Sequence, residues 1–332
     1  MKAIVGIPVI LVATGLLFAY LTFIWWLDRY EREPFWMVAL VFLWGATIGI
    51  GCGCALNSTV LLPVKAVLGA AGAMSIGAIL VAPVIEEITK GLVFVPLVLT
   101  DHFDNETDGL IYGAATGLGF AMVENIMYFI KFVSSPKMGL AALIFAMAIR
   151  TLFTAVMHCI SSSLLGMSIG YARHRSGNLK WLLYPGIGYL LAVANHALWN
   201  TASVMSNYHA GFQLAGVGMV IVASGVLFGL TQWSLKREHD VIRDYLHQEA
   251  QRGTLPAEHA DIIPYWRRRR KKDWLASHVD RDAYIEAATL LAFRQHQLAI
   301  AQGERRDEYL KEIEKYRHQI RDLLAGSATK PA

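Results

Sequence analysis

Charge is scarce in this chain. Only 17% of its 332 residues are Asp, Glu, Lys or Arg, against about a quarter in soluble domains, and its mean hydropathy is +0.40. That balance disfavours a soluble globular fold and favours a membrane protein. Cysteine is scarce too: Cys52, Cys54 and Cys159 are an odd set, all in apolar segments. They exclude a disulfide framework and lack the Cys pairs of a structural zinc site. The first apolar run continues through Trp25-Trp26-Leu27 without a small-x-small cleavage site, so it is expected to remain as an uncleaved helix. No internal repeat, low-complexity stretch or His-Glu-x-x-His motif occurs.

The charge that is present is unevenly placed. Residues 1–235 are a series of long apolar stretches, whereas 236–332 are polar and rich in Arg, Glu, Gln and His. The expected division is therefore a transmembrane bundle over 1–235 and a cytoplasmic helical tail over 236–332. A crossing needs about 20 mostly apolar residues. By that measure helices are expected near 3–27, 35–56, 74–99, 108–131, 141–171, 181–205 and 211–235. The fold class is thus all-α, a polytopic bundle of about seven spans. The segment 57–73, with Pro63, Lys65 and Gly69, reads as an interfacial helix, and an eighth span if it crosses.

With seven spans, Arg29, Arg32, Arg173, Arg175, Lys180 and the whole tail share one side, and Lys2, Lys65, Lys131 and Lys137 the other. Cytoplasmic loops carry the Lys/Arg excess, so the N-terminus is expected outside and the tail in the cytoplasm of a plasma-membrane protein. Within the tail, 280–302 and 304–324 have helical periodicity around Gly303, which predicts a helical hairpin. The basic run 267–272, flanked by Trp266 and Trp274, fits an anionic-lipid contact and equally a solvated linker. No nucleic-acid partner is expected.

The informative residues are the polar ones inside apolar helices. Each costs at least ~2.5–3.5 kcal/mol at the bilayer centre, so such groups face a protein interior and usually have a role. The third span carries Glu86, Glu87 and Lys90, the fourth Glu124 and Asn125, the fifth Arg150 and His158, and the sixth His196 and Asn200. Lys90 lies three and four residues beyond the two glutamates and so reaches either on one helical side. Arg150, Thr154 and His158 fall at i+4 steps, as do His196 and Asn200. Adjacent helical positions lie about 100° apart, so Glu86 and Glu87 are expected to do different jobs, one at the site and one paired with Lys90 or Arg150. Small residues from Gly113 to Gly119 permit close helix approach on the fourth span.

Each of these groups has a structural explanation when taken singly. A lone His is more often an interhelical hydrogen-bonder than a ligand, Glu87 with Lys90 forms a folding salt bridge, and Asn125, Asn195 and Asn200 serve as helix–helix contacts. Cys159 beside His158 diverges from it around the helix. Simple packing does not, however, require three carboxylates and two histidines in one bundle.

The ordered set Glu86-Glu87-x-x-Lys90, Asp108-Gly109-x-x-Tyr112-Gly113-x-x-x-Gly117-x-Gly119-Phe120-x-x-x-Glu124-Asn125, His158 and His196-x-x-x-Asn200 resembles the PrsW family of intramembrane proteases. That family is distantly similar to the CAAX prenyl protease and bacteriocin-immunity group. The resemblance covers about 75–205. It implies an endopeptidase acting on single-span or membrane-anchored proteins such as an anti-sigma factor, with Glu86, Glu87, His158 and His196 catalytic. Lys90, Glu124, Asn125, Arg150 and Asn200 support them.

Two mechanisms fit these residues. In one, Glu124, His158 and His196 form a His₂Glu zinc set and Glu86 or Glu87 is the base. In the other, a glutamate activates water directly while His196 and Asn200 stabilise the oxyanion. Two histidines and a spare carboxylate favour zinc, and no organic cofactor is expected. The competing classes are a proton- or ion-coupled transporter, against which stands the lack of repeated halves, and a non-catalytic scaffold or immunity-type protein.

Overall fold

The computed structural model describes residues 2–326 other than 101, 174, 176, 178, 272 and 302. Among the described residues it is all-α, with no strand. The chain forms two compact units. One comprises Met1–Leu27, Glu33–Arg173 and Gly177–Thr231; the other comprises Asp28–Arg32, His174–Ser176 and Gln232–Ala332.

The first unit is built from long apolar helices. Five helical stretches are long and apolar enough to cross a bilayer: Ile10–Leu27, Phe35–Leu97, Glu106–Ser134, Leu140–Arg173 and Gly211–Gln251. The second of these, at 63 residues, has length for more than one crossing at about 20 residues each. The helices are α1 (Lys2–Leu27), α2 (Phe35–Trp44), α3 (Ile50–Ile76), α4 (Ala82–Gly91), the short α5 (Phe94–Leu97), α6 (Glu106–Ser134), α7 (Leu140–Ile149), α8 (Ala155–Arg173), α9 (Lys180–Met205) and α10 (Gly211–Gln251). α9, the expected sixth crossing, is long enough, but its Asn195, His196 and Asn200 lower its apolarity and it is not among the five.

The segment 57–73 continues the helix that precedes it. Helix continues from Phe35 through the π-helical turn Gly45–Gly49 into α3 and past Pro63. It breaks only at Gly69, with φ 70° and ψ 176°, a backbone region that glycine alone enters cheaply. Two more π turns, Gly77–Val81 and Arg150–Thr154, precede α4 and α8.

Helix α6 is the axis of this unit. It starts at a capping box: the Asn105 side chain accepts from the Thr107 and Asp108 amides, and the Asp108 carboxylate accepts from the Asn105 amide. Asp108 is therefore a helix starter, which satisfies orphan donors of the first turn. Every residue from Glu106 to Ala121 is buried. α6 packs antiparallel along α8, and backbone meets backbone there: a Cβ added to Gly113 would stand 2.3 Å from the Ser162 carbonyl oxygen, and one on Gly117 2.3 Å from that of His158. This small-residue contact sets the height of His158 against α6.

The usual burial pattern is inverted in α4. Glu86, Glu87, Thr89 and Lys90 are buried while Val84 and Ile88 are exposed, the arrangement that lipid as solvent imposes.

The second unit packs the polar end of α10 with α11 (Ala257–Ala260), α12 (Trp266–Arg269), α13 (Arg281–Leu298) and α14 (Glu304–Ala325) around Ile242, Leu246, Tyr284, Leu291 and Ile320. α13 is capped by Asp280, and α13 and α14 form the expected hairpin, turning at Gly303 with φ 62°. Gln302, part of the expected first arm, lies outside the described residues. Glu249, fully buried, takes hydrogen bonds from Arg317, Thr254 and Gln295.

Candidate active site

Four helices bring the expected polar residues together. From α4, Glu86, Glu87 and Lys90 turn inward. The Lys90 ammonium donates to Glu87 Oε1 at 2.5 Å and approaches His158 Nδ1, from α8, at 3.2 Å. His196, from α9, places Nδ1 2.8 Å from the same Glu87 oxygen and Nε2 3.8 Å from Glu86 Oε2. The two imidazoles meet edge to face with centroids 4.8 Å apart, and Phe120 of α6 packs against His158 at 5.3 Å. Glu87, Lys90, His158 and His196 are each at most 2% exposed.

The partners assign the tautomers. A carboxylate only accepts, so His196 donates from Nδ1 to Glu87 and keeps a lone pair on Nε2. An ammonium only donates, so His158 accepts on Nδ1 from Lys90 and donates from Nε2 to Glu124 Oε2 at 3.0 Å. The expected separation of duties between the adjacent glutamates is visible here: Glu87 is paired with Lys90, and Glu86 faces His196.

Glu124 sits one step outside this centre. Its Oε2 also accepts from Arg150 Nη2 at 2.7 Å, while Arg150 Nε donates to Asn125 Oδ1 at 3.0 Å and the guanidinium stacks 3.7 Å over the Tyr128 ring. Arg150 and His158, eight residues apart on one stripe, thus grip one carboxylate. Asn200 turns away from the histidines: its amide donates at 2.8 Å to the carbonyl of Ala78, inside the π turn Gly77–Val81. A π turn displaces the helical hydrogen-bond ladder, and Asn200 supplies a donor there.

The donor set for a metal differs from the expected one in its carboxylate. Among the described residues, ligand atoms of Glu86, His158 and His196 all lie within 4.8 Å of one another, and Glu124 is not in that group. The reason is Arg150, which engages Glu124 to one side of His158. The residues present fit a divalent ion of the zinc type, with His158 offering Nδ1 in place of its contact with Lys90, whose ammonium would then keep Glu87 alone as partner. Two imidazoles and a carboxylate are its usual catalytic set. Glu86 Oε2 is buried with no hydrogen-bond partner, and His196 offers a bare Nε2 whose opposite nitrogen is held by Glu87, the carboxylate–histidine arrangement that orients metal-binding imidazoles.

One contact was missed by sequence reasoning. Asn57 of α3 donates from Nδ2 to Glu86 Oε1 at 3.2 Å. Its signal is an Asn in an apolar run, within the segment that Pro63, Lys65 and Gly69 mark as interfacial by sequence.

The chain is also similar to known proteins. The profile of the "PrsW family intramembrane metalloprotease" matches residues 33–228, which takes in every site residue above and stops short of the second unit's 232–332. Proteins named "Protease PrsW" are similar to about half of this chain. That of Geobacillus kaustophilus is 28% identical over 186 residues, 55% of this chain and 73% of the relative. That of Oceanobacillus iheyensis is 26% identical over 55% of this chain and 76% of its own, and that of Bacillus subtilis 27% over 49% and 69%. No solved structure matches the chain. Apolar helices long enough to cross a bilayer, an inward-facing glutamate–histidine cluster and a family match over more than half its length make this chain a multi-pass membrane peptidase of the PrsW intramembrane metalloprotease family.

Proposed function

We propose that Glu86, His158 and His196 hold a divalent ion, zinc by ligand chemistry, and that Glu87 takes the proton from the attacking water. The observation that carries this is the convergence of the three donor atoms within 4.8 Å around a buried, unpartnered Glu86 Oε2. When bound, the ion supplies Lewis-acid polarisation of the peptide carbonyl. Glu87 has a second buried, unpartnered oxygen, Oε2, which leaves it acceptor capacity for a proton while Oε1 orients His196. Lys90 is the counter-charge of Glu87. Glu124 orients His158 from the other face, and Arg150 neutralises Glu124. Asn125 and Asn200 hold, respectively, Arg150 and the π turn in place.

The test is proteolysis of a single-span protein by purified enzyme, with metal analysis of each variant. Glu86→Gln is expected to lose both bound zinc and cleavage. Glu87→Gln is expected to keep zinc and lose about 10²–10⁴-fold in kcat, the usual range for a general base. Full zinc occupancy and cleavage in Glu86→Gln would overturn the assignment.

The substrate is read as a membrane-anchored protein of the anti-sigma-factor type, which is what the resemblance implies. With the N-terminus outside and the tail in the cytoplasm, Glu124 and His196 fall nearer the outer leaflet, which puts the cut near the extracytoplasmic boundary. Mapping the cleaved bond to the cytoplasmic end would refute that orientation. The basic run is also read as a contact for anionic lipid, carried by fewer groups than its length suggests. Arg267, Arg268, Arg270 and Lys271 are exposed, but Arg269 is buried, donating to the Arg29 carbonyl and lying over Tyr30. Lys272 lies outside the described residues. Binding to vesicles of phosphatidylserine that is unchanged when these four residues become Gln would sink the lipid reading.

A further inference from the structure

Glu86 has two oxygens with opposite fates. Oε1 receives the Asn57 amide at 3.2 Å, and Oε2 is left bare 3.8 Å from His196 Nε2. The bond crosses from α3 to α4, so it fixes the carboxylate from outside its own helix. Next to it the two helices are in van der Waals contact: a Cβ at Gly53, one turn before Asn57, would lie 3.6 Å from Glu86 Cγ and 3.5 Å from Thr89 Oγ1. Among the described residues, Glu86 also has no ammonium or guanidinium within hydrogen-bond distance, unlike Glu87 and Glu124. Its rotamer is therefore set by Asn57 and by packing, since a carboxylate with neither oxygen held has a broad range about its last bond.

We infer that Asn57 is a positioning residue for Glu86: by holding Oε1 it presents Oε2 to His158 and His196. This rests on the reading of Glu86 as a ligand in the proposed centre. Groups that fix a ligating carboxylate typically govern metal affinity or activity by about 10–100-fold. Asn57 also has a buried Oδ1 without a partner. A residue kept for helix packing alone has no need of a buried amide, and Leu fills the same space without an orphaned acceptor.

The test uses the full chain in lipid nanodiscs. Zinc affinity is measured by competition with a fluorescent chelator, and kcat and KM on a single-span substrate. Asn57→Leu is expected to weaken zinc binding about 10–100-fold and to lower kcat with little change in KM, at an unchanged thermal midpoint of the metal-free protein. Asn57→Gln, which keeps the donor, is expected to recover part of both. Wild-type zinc affinity and kcat in Asn57→Leu would overturn the inference. Zinc binding that survives both Glu86→Gln and His196→Ala would instead overturn the metal reading, and the kcat comparison of Asn57→Leu with Asn57→Gln would still decide the role of Asn57. A thermal midpoint that falls in Asn57→Leu and in Asn57→Gln alike assigns the residue to folding and also overturns it.

Discussion

At Glu87 one oxygen serves two donors, Lys90 at 2.5 Å and His196 at 2.8 Å, in a pocket closed to solvent. A surface pair of this kind would be worth about 0–1 kcal/mol. Breaking a buried one leaves an uncompensated charge and costs about 3–5 kcal/mol. Lys90→Met is therefore expected to lower the unfolding midpoint sharply in detergent. The double variant Lys90→Met, Glu87→Gln is expected to recover much of that loss while staying inactive. If the double variant is no more stable than the single, Lys90 does not serve Glu87 as its counter-charge. The same reasoning explains why Glu86 and Glu87 are not interchangeable: side by side in sequence, they meet different neighbours, and only Glu86 leaves an oxygen facing a bare imidazole nitrogen.

Among the helices, the α6–α8 contact is the one on which the site depends. A methyl group at Gly117 would stand 2.3 Å from the carbonyl oxygen of His158 itself, so α8 has to move for Gly117→Ala to be accommodated. A shift of about 1 Å in a catalytic group costs on the order of 10²-fold in rate, and that is the expected loss in kcat. Gly225→Ala in α10, where an added Cβ meets nothing within 4 Å, is expected to cleave as wild type does. Equal activity of the two variants would show that the α6–α8 spacing is not what places His158. At Gly69 the backbone itself is at issue. Its φ of 70° with ψ 176° is strained for any residue with a Cβ by about 1–3 kcal/mol, so Gly69→Ala is expected to lower thermal stability by that order without touching the histidines. A Gly69→Ala protein as stable as wild type would mean the break in α3 is not needed.

For the whole molecule, the family match ends at residue 228 and the second unit follows it. A chain ending at residue 235 is expected to retain cleavage in detergent, since all proposed catalytic residues precede that point. Complete loss of activity with an intact fold would assign the tail a catalytic role. The tail unit should also be acid-labile. Burial holds His259, hydrogen-bonded to Tyr284 at 2.8 Å, and His296 below the usual imidazole range. The unfolded chain takes up protons near pH 6.5 where the folded one does not, so stability is full above that pH and falls as pH drops below it. Thermal unfolding of the tail is expected at a lower midpoint at pH 5.5 than at pH 7.5, with a smaller difference in His259→Gln. No narrowing of that difference would remove His259 as the cause. The all-α class, the long apolar helices and the gathering of Glu86, Glu87, Lys90, His158 and His196 were legible in the residues alone. Lipid penalises unpaired polar groups so heavily that a stripe of them on each of several helices has to share an interior. What the tertiary structure alone decided was which atom meets which. Helix rotation about its axis is altered by the three π turns and locked by backbone contact at Gly113 and Gly117, and neither effect follows from a 3.6-residue period. That is why Glu86 rather than Glu124 joins the two histidines, why Asn200 caps a turn, and why Asn57, placed at the interface by its neighbours Pro63 and Lys65, proves to hold the glutamate at the centre.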